Sequence, residues 1–186
     1  MSRLLVVLAL SMLSMGYILD RTDDTCNYTM DTTSVTGLTR ELTRSGIRVH
    51  YELVGLNLSV AQHAYLVNDV IPRAQAYLSN ALSVNRLTSS LHFSFDECAG
   101  AEIPNNLSLQ GYSNTDFVVF LTGWNDTTNY GSWAQPCAIE ADNQRHPVAG
   151  RMWLNTNLLD CNDDGDMEDN VSNMIHQTLH LLGFHT

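Results

Sequence analysis

The chain contains no lysine: its nine basic residues are all arginine, set against 20 aspartates and glutamates for a formal net charge of −11. So few cations cannot displace the counterions of a phosphate backbone, which excludes nucleic acid as a partner. The acidity favours solubility and repels anionic membranes. No internal repeat or low-complexity stretch is present, and no apolar run reaches the roughly 20 residues of a bilayer span. No C-x-x-C spacing occurs, which argues against a cysteine zinc site. Neither a G-x-S-x-G elbow nor a cysteine beside a histidine is found, so nucleophilic serine or cysteine chemistry has no support.

What is present begins with a leader. Met1-Ser-Arg3 precedes an apolar run from Leu4 to Leu13, and Ser14 and Gly16 follow as small residues. That is the pattern of a signal peptide over 1–16, so the mature chain starts near Tyr17. Four cysteines follow, Cys26, Cys98, Cys137 and Cys161. An even count in an exported chain points to two disulfides. Sequons at Asn27, Asn57, Asn106 and Asn125 fit a secreted or cell-surface glycoprotein. A fifth, at Asn170, lies too near the candidate site to be read as used.

Residues 17–46 are rich in Thr, Asp and Ser and read as an extended N-terminal segment. From Ile47 to Leu53 apolar and polar residues alternate, as in a half-buried strand. Ser59-Val-Ala-Gln62 has the form of a capping box and opens a long helix ending near Ser83, with Pro72 marking a kink or restart. Leu91–Phe95 reads as a strand, Asp116–Thr122 as a strand buried on both faces, and Val148–Asn155 as another. An acidic loop over 160–169 precedes a last helix over 170–182, which Gly183 closes. The order predicts an α/β (α+β) fold with a mixed twisted sheet.

The last helix carries the chemistry. His176 and His180 are four residues apart, so both imidazoles project from one helix face and can share one metal ion. Met174, Ile175, Leu179 and Leu182 make that helix apolar and buried. Buried histidines need partners, and a metal is one.

Ile175-His176-Gln177-Thr-Leu-His180-Leu-Leu-Gly183-Phe184 resembles the zinc helix of the leishmanolysin family of metalloendopeptidases. Val70-Ile-Pro72-Arg-Ala74 resembles that family's first long helix, and Asp116-Phe-Val-Val-Phe120 its central strand. Cys137-Ala-Ile-Glu-Ala-Asp142 and Arg145–Asn155 resemble the run leading to the catalytic helix. The likeness spans 47–186 and implies the N-terminal part of a metzincin-like zincin catalytic domain, an incomplete one. It implies Zn²⁺ held by His176 and His180, a protein or peptide substrate, and 148–155 as the edge of the substrate cleft. It pairs Cys98 with Cys137, which leaves Cys26 for Cys161. Membrane association would come only through a missing C-terminal part.

Two departures stand out. Gln177 occupies the position of the general-base glutamate, and the family's third histidine ligand is absent, with His185 as the one substitute within this chain. Zinc-dependent proteolysis of extracellular proteins, weakened or lost through Gln177, is therefore the leading reading. A non-catalytic extracellular binding or adhesion protein on a peptidase fold is the alternative. Asp160–Glu168 resembles half of an EF-hand but has Val171 at the twelfth position, so it reads as a solvated acidic loop. Trp124, Trp133 and Trp153 are read as core or loop packing, and His146 as a surface residue near the cleft strand.

Overall fold

The computed structural model describes residues 32–103, 110–125, 131–141, 145–159 and 164–184. The leader, Cys26, Asn27, Asn106, Cys161 and His185 lie outside them. No helix among the described residues is long and apolar enough to cross a membrane.

The core of the fold is a five-stranded sheet of order β1-β8-β9-β7-β3. Its strands are β1 (Thr33–Val35), β3 (Val49–Leu53), β7 (Phe117–Trp124), β8 (Ser132–Glu140) and β9 (Pro147–Asn155). β3, β7 and β9 run parallel, and β8 is antiparallel to β9. The two other ladders are β2 (Arg40–Gly46) with β4 (Ser83–Leu87), and β5 (Glu97–Cys98) with β6 (Ala101–Glu102). The α-helices placed among the described residues are α1 (Val60–Tyr65), α2 (Ile71–Ala81) and α3 (Asp164–Leu181).

β7 explains its own sequence. All of Phe117–Leu121 are fully buried because both sheet faces are covered. Phe117, Val119 and Leu121 meet the helices, together with Val49, Tyr51, Leu66, Leu78, Met174 and Leu181. Val118 and Phe120 meet a second cluster, in which Leu91, Phe93, Ile103 and Tyr112 cover the other face. A disulfide, Cys98–Cys137, ties that cover to β8.

The capping box forms: Ser59 Oγ accepts from the Gln62 amide, and Gln62 Oε1 accepts from the Ser59 amide. Pro72 produces neither a plain kink nor a break. A π-helical turn over Leu66–Val70 widens the helix just before it, and α2 restarts with proline in its first turn. There the missing amide proton leaves no bond unmade.

Four expectations are corrected. Leu91–Phe95 forms no strand ladder; only Leu91 bridges Tyr112. Its alternation is genuine, since Leu91 and Phe93 are buried, but they pack onto a sheet face, where no strand edge is on offer. Ser83–Leu87 is a strand, and α2 already ends at Ala81. Residues 164–169 are helical and open α3, where a loop was expected. Finally, 148–155 is not an edge: β9 lies between β7 and β8.

Asp116 locks the start of β7. Its carboxylate accepts from the backbone amides of Arg48 and Leu87 and from the Arg48 guanidinium, at 2.6–2.9 Å. Burial alone would raise its pKa, but these donors outweigh burial and hold it below the ordinary range. The stabilisation is therefore full above the unfolded aspartate value of about 3.9 and is lost as pH falls through the depressed folded value. Asp116→Ala is expected to cost about 3–5 kcal/mol in denaturant titration, since it leaves the Arg48 guanidinium with its bonds to Asn114 and Leu87 but no counter-charge. Asp116→Asn should flatten the acid limb of a stability–pH profile.

Candidate metal centre

Helix α3 reaches the sheet through one missing side chain. A Cβ built at Gly150 would stand 2.6 Å from Leu181 Cδ2 and 3.1 Å from the Gln135 carbonyl oxygen. Glycine in the middle of β9 thus lets the last turn of α3 lie directly on the strands. One turn earlier a buried polar relay fixes the helix rotation. The Thr178 hydroxyl donates to the Met174 carbonyl (2.7 Å), so it accepts from the Tyr51 hydroxyl at 2.8 Å. Burial raises the Tyr51 pKa and keeps it a neutral donor.

With that face pinned, the adjacent stripe of α3 carries Asn173, His176, Gln177 and His180. The two imidazoles converge, with Nε2 to Nε2 at 2.9 Å and the rings nearly perpendicular at 88°. Gly183 sets the second ring. At φ +90° it closes the helix, the Phe184 amide bonding Leu179 O and the Gly183 amide bonding His180 O. The turn presents the Phe184 carbonyl to His180 Nδ1 at 3.1 Å. A carbonyl only accepts, so Nδ1 is the donor, and Nε2 is the nitrogen turned toward His176.

These nitrogens fit a metal. Two nitrogens on one tetrahedral zinc, each at about 2.0–2.1 Å, stand about 3.3 Å apart. The observed spacing is within a few tenths of an ångström of that, and the Nδ1–carbonyl bond is the outer contact that orients ligating histidines. Among the described residues no group of three His, Cys, Asp or Glu side chains converges.

A family model described as leishmanolysin, peptidase family M8, matches residues 57–186. The chain belongs to the leishmanolysin family. Leishmanolysin peptidases are in general zinc-dependent and act on proteins or peptides. No curated protein matches the chain. The mixed α/β sheet with its long helix is that of part of a peptidase catalytic domain.

Other sequence candidates fall differently. Gln177 is buried and donates Nε2 to the Ser132 carbonyl at 3.4 Å. His146 sits 3.7 Å from Glu140 at the far end of β8, where Arg40 binds the same carboxylate. Asn57 and Asn125 are exposed, whereas Asn170 donates to the Tyr65 hydroxyl. Sequence reading missed Ser132 and Asn173: the Ser132 hydroxyl donates to Asn173 Oδ1 at 2.6 Å, next to the Gln177 contact. The visible signal was the polar spacing 173, 177, 180 on an otherwise apolar helix.

Gly150→Ala is expected to cost about 1–3 kcal/mol, because the Gln135 backbone cannot withdraw and Leu181 must change rotamer. Thermal unfolding of the purified domain measures it.

Proposed function

We propose that this chain is a secreted or surface-exposed zinc metalloendopeptidase domain in which Gln177 makes turnover slow or absent. The convergence of His176 and His180 carries this reading. These two would hold Zn²⁺, with a third ligand outside the described residues, where His185 lies. When bound, zinc supplies Lewis acidity toward a peptide carbonyl and a bound water.

The chain's own residues provide the rest. β8 offers the peptide a strand edge. Among the described residues, β1 pairs with Ala138, Ile139 and Glu140 of this strand alone. The Asn155 amide bonds the Gly131 carbonyl, so by antiparallel alternation Ser132, Ala134 and Pro136 turn their main-chain groups outward. Proline suits that edge, because its missing amide proton would point away from β9. An extended peptide adds here as a further strand. A cavity of about 310 Å³ between Pro136, Pro147, His180 and Gly183 gives one of its side chains a place beside the histidines.

Gln177 can orient water but cannot accept its proton at neutral pH. Loss of a general base costs on the order of 10²–10⁴ in rate. The amide also donates to Ser132, which a carboxylate cannot do. That contact favours the second reading, a peptide- or protein-binding module on a peptidase fold. The glycoprotein and secretion assignments rest on the leader and on the exposed sequons at Asn57 and Asn125.

Elemental analysis tests the metal. Near one zinc per chain is expected, falling sharply in His176→Ala and His180→Ala; near-zero zinc in the wild type defeats the proposal. Gln177→Glu in the longest natural form should raise chelator-sensitive peptide cleavage about 10²–10⁴-fold. No gain, with zinc retained, leaves the binding module as the function.

A further inference from the structure

The edge strand carries an aromatic surface that the zinc-site reading does not use. Side chains alternate along β8. Ala134 packs with the helix-side cluster, whereas Cys137 belongs to the opposite one. Trp133 therefore stands on the face away from the histidines. It pairs across the ladder with Trp153 on β9, and the two indoles stack flat, centroids 3.5 Å apart and planes within 6°. The Arg151 guanidinium carbon lies 4.0 Å from the Trp153 ring centroid. One face of Trp153 is already covered by Trp133, so Arg151 must occupy the other. Its position agrees, since Arg151 Nε donates to Thr122 Oγ1 on β7, the strand on that side.

The result is a column running across the strands: guanidinium, indole, indole. Its inner end is anchored, and its outer end is the second face of Trp133, which remains 38% exposed. That face looks away from β9, toward the side on which a peptide strand would join β8. Side chains of such a strand alternate too, and a residue opposite Trp133 would place its Cβ about 4.5–5.5 Å from that of Trp133.

We propose that Trp133 is a specificity-determining residue that accepts a flat aromatic side chain of the bound peptide, extending the Arg151–Trp153–Trp133 column by one ring. The proposal rests on the reading of β8 as the peptide-binding edge and adds a substrate class to it: extended peptides with an aromatic residue on the face opposite the zinc site. A ring is favoured over an aliphatic chain because Trp133 offers a planar surface already held rigid by its neighbour.

The test is equilibrium binding to the zinc-supplemented, full-length natural chain, whose slow turnover lets affinity be read directly. The probes are capped alanine–threonine octapeptides with a single guest, Ala, Leu, Arg or Phe, moved along the chain. At one register position Phe should bind about three- to tenfold tighter than Leu, Arg or Ala. Trp133→Leu should erase that preference while binding the all-host peptide within about twofold of the wild type, and Trp133→Phe should keep most of it. A Phe preference that survives Trp133→Leu, or a wild type that treats Phe, Leu and Arg alike, overturns the subsite and leaves edge pairing intact. If the host peptide fails to bind the wild type at all, the edge reading fails, and the subsite fails with it.

Discussion

The structure depends on how closely helix α3 lies on the sheet. Residue 150 has no side chain, and Leu181 fills the space. A Cβ there would force Leu181, next to His180, out of its place against the sheet. The Tyr51–Thr178–Met174 relay then prevents rotation, because a buried hydroxyl turned away from its partner loses a hydrogen bond it cannot recover from water. Height and rotation together leave only one direction for the two imidazoles. The convergence of the two imidazoles is thus a by-product of packing, and the pair is preorganised by residues that never touch it.

The same helix also holds the start of β8. Asn173 and Gln177 both reach Ser132, where that strand begins. The histidine pair and β8 are therefore one mechanical unit. This gives Gln177 two consequences. Chemically, its amide cannot accept a proton at neutral pH. Structurally, it gives the Ser132 carbonyl a donor.

Charge belongs to the same picture. With no lysine and a net charge of −11, the surface offers little attraction to anionic polymers or membranes. Arginine is used instead in directed contacts: Arg48 on Asp116, Arg40 on Glu140, Arg151 on Trp153. Guanidinium suits each of these, since its planar fork matches a carboxylate and its flat face stacks on an indole.

Local pattern in the sequence carried the capping box at Ser59, the doubly buried strand β7, the glycine closure at 183 and the one-face placement of His176 and His180. Each depends on spacing within a few residues, which helix and strand periods set directly. The polar ladder β2–β4 was not legible, because Arg40–Gly46 and Ser83–Leu87 lack an alternating apolar face; Leu42 is 98% exposed. β8 was hidden by Pro136 and polar neighbours, and so β9 was mistaken for the cleft edge. Which strand lies at an edge, which polar groups meet at Ser132 and which tryptophan faces outward are relations between segments distant in the chain. Tertiary structure alone decided them, since hydrogen-bond partners and ring stacking are set by which elements come to lie side by side.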